Sequence, residues 1–364
     1  MKIVFIINAL HMQRCMKRID EFANRGYEVE AYGFDRGVDI KSRPQSCAIH
    51  VIGKIDTSLN YIRRTGTIYK GIREVLKKTK KENTLYYIFG FDNAVLFRLQ
   101  SNRKYIYEES DLVHTYMGSK LIVRILELID RNIIKKSFLT VFTSEGFLKY
   151  HFGNINQTNT VVVPNRLPMK IMEYNKLSRK NVLNKTHLAI GFVGFIRYKA
   201  VFNFARVFCE TCPDLEFHFW GTTNIESDRL LFEPLLKYKN CIFHGPFKYP
   251  DDLPSIYASL DMVVATYDTE LENVKYAEPN KIYESIFFET PIIVSTGTFL
   301  ADKVNKLGIG FDINALNDEE VVRFVKEMTF QKIQERIDKA SAIDKRSTLN
   351  INDELFEKLV NLLD

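Results

Sequence analysis

The second half of the chain opens with the stretch Leu188-Ala189-Ile190-Gly191-Phe192-Val193-Gly194-Phe195-Ile196-Arg197-Tyr198-Lys199. Its first six residues form a short apolar run, which is typical of a strand that is buried on both faces. Gly194 allows a close backbone approach, and a helical pattern follows over about 200–210. A strand that leads through a turn into a helix is the repeating unit of a parallel α/β sheet. This stretch therefore predicts a parallel α/β domain.

The same alternation continues towards the carboxyl terminus. Strands are predicted at 216–220, 241–244, 262–265 and 291–295, and helices at 252–259, 280–288 and 299–307. Open parallel sheets bind ligands at the carboxyl ends of their strands. We therefore assign 187–345 to one doubly wound, Rossmann-like domain and expect its ligand at that edge.

The first half of the chain shows the alternation as well. Its strands are predicted at 3–7, 27–31, 85–89, 104–107, 140–143 and 161–163, and its helices at 12–25 and 116–136. The longer helix has Leu121, Ile125, Leu128 and Ile129 on one face. Short strands that alternate with helices indicate a second α/β domain, with a sheet that is covered on both sides.

The domain boundaries follow from this pattern and from a change in composition. We assign 1–168 to the amino-terminal domain and 169–186, which is polar and aperiodic, to an interdomain linker. Residues 346–364 contain a terminal helix that the sequence alone does not place on either domain.

The composition suits two ordinary globular domains. Of the 364 residues, 46% are hydrophobic and 13% are aromatic, which argues against disorder. The first apolar run stops after five residues and precedes no cleavage site, so it predicts a strand and not a signal peptide. No apolar stretch is long enough to cross a bilayer, and an odd set of five cysteines fits a reducing compartment. We expect a cytoplasmic protein.

Positive charge is concentrated in residues 61–81, which have a helical pattern. Ile62, Tyr69, Ile72 and Leu76 share a stripe. The cations that largely avoid this stripe are Arg63, Arg64, Lys70, Arg73, Lys77, Lys80 and Lys81. Such a helix either presents a solvated face or contacts anionic lipid headgroups at the inner face of the cell membrane. The chain lacks a recognisable nucleic-acid module, so no nucleic-acid partner is expected.

The densest group of polar residues is Tyr276-Ala277-Glu278-Pro279-Asn280-Lys281-Ile282-Tyr283-Glu284-Ser285-Ile286. Asn280 and Lys281 are predicted at a helix N-terminus, where free N–H groups attract phosphate. Glu284, one turn further on, is placed to accept hydrogen bonds from a ribose diol. An ordinary capped helix with exposed charges explains the spacing equally well when it is taken alone.

Two further strand ends indicate the same ligand chemistry. Arg197 and Lys199 follow the strand at 188–193 and can neutralise a diphosphate, while Gly194 leaves room for it. The segment Ser295-Thr296-Gly297-Thr298 begins another helix with hydroxyl groups that suit a phosphate or a sugar. Three strand ends of one domain thus predict a phosphate-binding edge that includes Thr298.

Residues 188–311 resemble the donor domain of the family 4 retaining glycosyltransferases, which have the GT-B fold. The matching segments are 191–197, 242–247, 253–261, 278–285, 290–298 and 307–310. The resemblance implies an α/β protein of two doubly wound Rossmann-like domains that face each other across a cleft. It also implies that Arg197 and Lys199 hold the donor diphosphate and that Glu284 holds the ribose. Tyr276 replaces the family's first glutamate, so the role of the nearby Glu278 stays open.

The amino-terminal half is similar to the acceptor domain of the same family, although more loosely. The segment Tyr107-Glu108-Glu109-Ser110-Asp111-Leu112 matches a strand that ends in the active-site cleft. Glu109 and Asp111 are therefore candidates for stabilising an oxocarbenium-like transition state, although either acid could instead cap the next helix.

The end of the first strand supplies the other candidates in this half. His11 is the candidate base, and Asn8 and Arg14 are expected on the acceptor side. Many family members carry a glycine-rich loop at this point, which is replaced here by Asn8-Ala9-Leu10-His11.

The resemblance implies a retaining glycosyltransferase that moves a sugar from a nucleoside-diphosphate donor to a saccharide acceptor, free or lipid-linked, in surface polysaccharide biosynthesis such as capsule or lipopolysaccharide. The chain contains no Asp-x-Asp, so neither a metal nor another cofactor is expected. Arg197, Lys199 and helix dipoles would offset the charge on the leaving nucleotide instead. The alternatives are a nucleotide-sugar epimerase of the same fold and a non-catalytic nucleotide-sugar-binding scaffold.

Overall fold

A computed structural model describes residues 1–38, 44–56, 58, 61–80, 82–153, 155, 157–174, 180–223 and 225–363, with residues 61 and 62 described by their backbone only. The chain forms two compact units. The first comprises Met1–Pro164 and Asn352–Asp364, and the second comprises Asn165–Ile351.

The first unit is built on a parallel sheet of seven strands. They are β1 (Lys2–Ile7), β2 (Glu28–Asp35), β3 (Ile49–Lys54), β4 (Thr84–Phe89), β5 (Tyr105–Glu109), β6 (Leu139–Phe142) and β7 (Thr160–Val162). Their order in the sheet is β3-β2-β1-β4-β5-β6-β7. The helices are α1 (Gln13–Asn24), α2 (Tyr61–Lys78), α3 (Phe91–Gln100), α4 (Lys120–Lys136) and α5 (Glu145–Phe152). The central strands β1 and β4 are apolar because helices cover both faces of the sheet there.

The second unit is built on a parallel sheet of six strands. They are β8 (Ala189–Val193), β9 (Glu216–Trp220), β10 (Cys241–Gly245), β11 (Met262–Ala265), β12 (Ile292–Ser295) and β13 (Gly310–Ile313). Their order is β10-β9-β8-β11-β12-β13. The helices are α6 (Lys199–Thr211), α7 (Glu226–Phe232), α8 (Leu253–Ser259), α9 (Glu272–Tyr276), α10 (Lys281–Phe287), α11 (Phe299–Leu307), α12 (Asp318–Glu327) and α13 (Phe330–Ser341). The predicted class, two doubly wound α/β sheets, is confirmed.

The terminal helix α14 (Asp353–Leu363) belongs to the first unit. Its Phe356 ring lies 4.9 Å from the ring of Phe22 on α1, and the Arg25 guanidinium lies 4.0 Å from the Phe356 ring centre. Leu355 and Leu359 join the same core cluster as α1. These aromatic and aliphatic contacts assign α14 to the first unit, an assignment that the sequence alone does not give.

The apolar face predicted on α4 does not pack into the core. Leu121 and Leu128 are 69% and 65% exposed, and Ile125 and Ile129 are also exposed. The side chains that point inwards are those of Asp130, Ile133 and Ile134. Periodicity identified the apolar stripe correctly, but it does not reveal which face of the helix a sheet covers.

Helix α2 also differs from its predicted stripe. Ile72 is buried, but Tyr69 is 40% exposed, and the inward face is formed by Ile68, Ile72 and Val75. The side chain of Ile62 and the whole of Lys81 lie outside the described residues. Most of the remaining cations are exposed, as expected.

The described part of the predicted linker belongs to the second unit. Val182 is fully buried. Leu167, which precedes the predicted linker, pairs with Leu349. The Nζ atom of Lys180 donates to the carbonyl oxygens of Tyr257 and Leu260, each at 2.5 Å. The polar composition at 180–186 thus reflects hydrogen bonding to the second unit. Residues 175–179 of this segment lie outside the described residues.

Two strands were missing from the sequence prediction, β3 and β13. Both lie at an edge of their sheet, where one side of the strand has no neighbour. Both include half-buried or exposed positions, so the continuous apolar run of a central strand is lost. None of the described helices combines the length and the apolar composition that crossing a bilayer demands.

Candidate functional site

Two glycines form the backbone of the candidate donor site in the second unit. Gly194 follows β8 with a φ of +136°, and Gly221 follows β9 with a φ of +141°. A Cβ atom at Gly221 would stand 1.7 Å from the carbonyl oxygen of Gly194. The turns after β8 and β9 can therefore pack together only because Gly221 carries no side chain.

Lys281 lies beneath the turn after β8. It is buried, and its Nζ atom lies 3.0 Å from the position that a Cβ at Gly194 would take. The same Nζ lies 4.4 Å from the ring centre of Phe192. Burial, together with the positive charge of Arg197, lowers the pKa of Lys281 to about 8, while the negative charge of Glu284 opposes this. Lys281 is thus a buried cation that interacts electrostatically with Arg197 and Glu284, two residues that are predicted to bind the donor.

Arg197 lies on the exposed side of the same turn. Its guanidinium carbon lies 4.7 Å from the ring centre of Tyr198, which has a φ of +81°. The side chain is exposed and so is accessible to a ligand. Arg197 and Lys281 together give this turn two positive charges, one at the surface and one buried.

Lys199 is the first residue of α6, and an acid already occupies this helix N-terminus. Asp268 Oδ2 accepts a hydrogen bond from the Lys199 amide at 3.1 Å, and Oδ1 accepts one from the Ala200 amide at 2.8 Å. The carboxylate stabilises the helix dipole in the place where a phosphate was expected. The Lys199 side chain itself remains exposed. This role of Asp268 has no local sequence signal, because the two hydrogen bonds join residues that are sixty-nine and sixty-eight positions apart.

Glu284 is buried on α10 and accepts hydrogen bonds from two side chains. Tyr257 Oη donates to its Oε2 at 2.6 Å, and Asn280 Nδ2 donates to its Oε1 at 2.7 Å. Burial raises the pKa of Glu284, while Lys281 and the Tyr257 hydroxyl oppose the rise. A carboxylate accepts about four hydrogen bonds, and Tyr257 and Asn280 supply two of them. Tyr257, which positions this carboxylate, was not predicted as a site residue.

Glu278 has a different set of partners. Its Oε1 atom lies 2.5 Å from Lys303 Nζ and also accepts a hydrogen bond from Tyr283. Lys303 was not singled out from the sequence, although it lies on α11 within reach of the predicted motif. The structure thus places Glu278 in an ion pair, separate from the two side chains that hold Glu284.

Two other predicted donor residues have structural roles in their helices. The Thr298 hydroxyl donates to the Ser295 carbonyl at 2.8 Å and accepts from the Ala301 amide at 3.1 Å, so it caps α11. Asn280 immediately precedes α10, which has only seven residues. Its side chain holds Glu284, as described above, so its contribution to a ligand site would be to position that carboxylate.

The predicted acceptor-side residues of the first unit are held by other side chains. Asn8 Oδ1 accepts from Asn93 Nδ2 at 2.5 Å. Arg14 Nε lies 3.5 Å from Oε1 of Glu108, which is fully buried and also pairs with Arg18 at 3.2 Å. Arg14 therefore extends an internal ion-pair network.

His11 is only partly buried. Burial and the charge of Arg36 lower its pKa, which favours the neutral imidazole that a base requires.

The candidate catalytic acids differ in their surroundings. Glu109 is buried, and its carboxylate lies 3.0 Å from His151 Nε2. Burial, followed by the charge of Asp130, raises the pKa of Glu109 well above its ordinary value. Asp111 is exposed. Of the two candidate acids, Asp111 is therefore the one that is accessible to solvent.

One group of possible metal ligands occurs within the described residues. Glu109, His114 and Asp130 each contribute one ligand atom, and these atoms lie within 4.8 Å of one another. A shared proton or a cation would relieve the repulsion between the two carboxylates. His114 is fully buried in this group.

The sequence matches no protein-family model and no curated protein. The structure, however, is similar to solved glycosyltransferases. HepE from Anabaena, solved in complex with UDP-glucose, aligns with a TM-score of 0.71 at 14% identity and covers 99% of this chain and 100% of that chain. Sucrose-phosphate synthase from Thermosynechococcus elongatus aligns with a TM-score of 0.68 at 12% identity and covers 100% of both chains.

A third similar structure is the apo form of the lipopolysaccharide outer core galactosyltransferase WaaB. It aligns with a TM-score of 0.63 at 15% identity and covers 98% of this chain and 100% of that chain. Identities this low show the fold alone. The two Rossmann-like parallel α/β units thus have the GT-B fold of these glycosyltransferases.

Proposed function

We propose that the chain binds a nucleoside-diphosphate sugar in its second unit and transfers the sugar, with retention of configuration, to a saccharide acceptor. The observation that carries this proposal is the grouping of Arg197, Lys281 and Glu284. The charges of Arg197 and Glu284 both act on the pKa of Lys281. All three side chains belong to segments at the carboxyl ends of the strands, where doubly wound sheets bind their ligands.

The grouping suits the two charged parts of such a donor. Arg197 and Lys281 would neutralise the diphosphate and the charge that develops on it as the sugar departs. Glu284, which is held rigidly by Tyr257 and Asn280, would accept hydrogen bonds from the ribose diol. HepE, which shares the fold, has been solved in complex with UDP and with UDP-glucose. We propose that the cations perform the electrostatic role here without a metal ion.

The acceptor side is assigned to the first unit. There Asp111 would stabilise positive charge on the reacting sugar, and His11 would accept a proton from the attacking hydroxyl.

We further propose a role in surface polysaccharide synthesis, with an acceptor that is free or lipid-linked. The exposed cations of α2 would then attract the protein to anionic headgroups at the inner face of the membrane.

The donor assignment predicts a specific effect of Arg197→Ala. Because this side chain is exposed, the variant should fold normally but bind the donor about 10- to 100-fold more weakly, as expected for the loss of a charged hydrogen bond. The measurement is a titration of nucleotide sugars followed by thermal shift, which also identifies the base and the sugar. Arg323→Ala removes an exposed arginine from α12 and serves as the matched control. Equal donor affinity in both variants would remove Arg197 from the site.

The reaction itself is tested by product analysis. With donor and a mixture of saccharide acceptors, the wild-type chain should release the nucleoside diphosphate and form a new glycosidic bond, and EDTA should not change the rate. A changed sugar in the absence of acceptor would instead show an epimerase. Donor binding without any turnover would show a scaffold. Inhibition by EDTA would contradict the metal-free mechanism.

A further inference from the structure

An exposed apolar surface runs along α4 in the first unit. We call it the apolar ridge, and it consists of Leu121, Ile122, Ile125, Leu128 and Ile129. All five side chains are exposed, and Leu121 and Leu128 are exposed by about two-thirds. Contiguous apolar surface of this kind is rare on soluble proteins and marks a site of interaction.

The helix is oriented against the usual rule for a surface helix. Its inward side carries Asp130, whose carboxylate is fully buried, together with Ile133 and Ile134, while its outward side carries the five large aliphatic side chains. A helix that only covered a sheet would bury its aliphatic stripe and expose its acid. Leu99 of α3 extends the surface, because it lines one groove together with Ile125, Leu128 and Ile129.

Positive charge flanks the apolar ridge at both ends. Lys120 and Arg124 lie at the beginning of α4, and Lys135 and Lys136 lie at its end, all four exposed. Within the described part of the chain, none of these four makes an ion pair. The first turn contains no acid, although an acid there would stabilise the helix dipole. Glu127 is already paired with Arg131 at 2.5 Å.

The cations of α2 add to the same side of the molecule. Helix α3 packs against both α2 and α4, so the three helices lie side by side on one face of the sheet. The exposed cations on α2 include Lys70, Arg73 and Lys77. Aliphatic side chains bordered by lysine and arginine are the pattern of helices that lie in the interface of an anionic bilayer.

We propose that the apolar ridge docks the protein on a bilayer that contains anionic lipids, with the five aliphatic side chains inserted between the headgroups. A second copy of the chain fits the ridge less well. Paired in parallel or antiparallel orientation, two α4 helices would bring cations against cations at both ends. The proposal rests on and deepens the headgroup attraction proposed above for α2, but it does not depend on the donor site, because the ridge and the donor site lie in different units.

The test is vesicle co-sedimentation of the full chain. Wild-type protein should bind phosphatidylcholine vesicles that contain about 30% phosphatidylglycerol and bind pure phosphatidylcholine far less, and salt should weaken the binding. The triple variant Leu121→Ser, Ile125→Ser, Leu128→Ser should bind the anionic vesicles at least about fivefold more weakly, because the affinity depends on the apolar area that is buried in the bilayer.

The matched control is the triple variant Leu230→Ser, Leu231→Ser, Leu236→Ser, which alters three exposed leucines of the second unit. It should bind vesicles as the wild type does. The thermal unfolding midpoint of each variant without ligand reports whether it is folded, independently of lipid and of the donor. Equal vesicle binding in the two triple variants would overturn the proposal. A wild-type dimer that the ridge variant converts to a monomer, without vesicle binding in either, would assign the ridge to a second copy instead.

Discussion

Gly221→Ala should destabilise the second unit by about 3 kcal/mol or more, the sum of backbone strain and a steric clash. The φ of Gly221 is +141°, a value that residues with a side chain rarely adopt. The new Cβ would also stand 1.7 Å from the carbonyl oxygen of Gly194, which is backbone and cannot rotate away. The turn after β8 would have to move, and the donor site would be lost with it.

Chemical denaturation of the wild type and the variant measures this effect. Gly245→Ala is the matched control, because Gly245 also has a positive φ, +78°, but its Cβ would meet nothing within 4 Å. In the control, the free energy of unfolding should fall only by the cost of backbone strain, about 1 kcal/mol. If the two variants were destabilised equally, the close approach of Gly221 to Gly194 would not be a constraint on the fold.

Lys281→Met should weaken donor binding by about 100-fold, because a buried cation near a diphosphate is screened little by solvent. Stability should not fall, since an apolar side chain of similar length replaces a buried charge. Lys306→Met, which changes an exposed lysine of α11, is the control and should leave the donor affinity unchanged. A loss of stability without a loss of affinity would make Lys281 a structural residue.

The pKa of Lys281 adds a pH dependence to this prediction. Its value in the folded protein is lowered to about 8, so the free site loses its positive charge as the pH rises through 8. Donor affinity in the wild type should then fall by up to about tenfold per pH unit above about pH 8. The contribution of this group to stability has the opposite trend. Between about pH 8 and 10.5 the unfolded chain binds the extra proton, so this contribution increases with pH. Both trends should be absent in Lys281→Met.

Much of the fold was predictable because local pattern determines it. The central strands β1, β4, β8, β11 and β12 are short apolar runs that helices follow, and the structure has them within one or two residues of their predicted bounds. The edge strands β3 and β13 include half-buried or exposed positions and lack that apolar run, which is why they were missed. The motif at 278–285 was likewise readable as a local spacing of charged residues that precedes and begins a helix.

Contacts between distant segments were not predictable in the same way. Asp268 caps α6 from sixty-eight positions away or more, and Tyr257 holds Glu284 across twenty-seven positions. No local spacing encodes such pairs. The exposed face of α4 is a further case, because its aliphatic stripe alone is compatible with a core as well as with a surface. The side of α4 that faces the sheet is set by contacts with distant residues. One of them is the hydrogen bond that the Tyr105 hydroxyl donates to the Ile133 carbonyl.

The central claim is that the donor binds at the turn after β8 and at α10. Hydrogen–deuterium exchange with the nucleotide sugar that gives the largest thermal shift locates the ligand directly. Donor should slow exchange in peptides that cover 194–200 and 278–285, and Lys281→Met should abolish the protection at the same donor concentration. Protection confined to the first unit, or to segments of the second unit away from both peptides, would contradict the account.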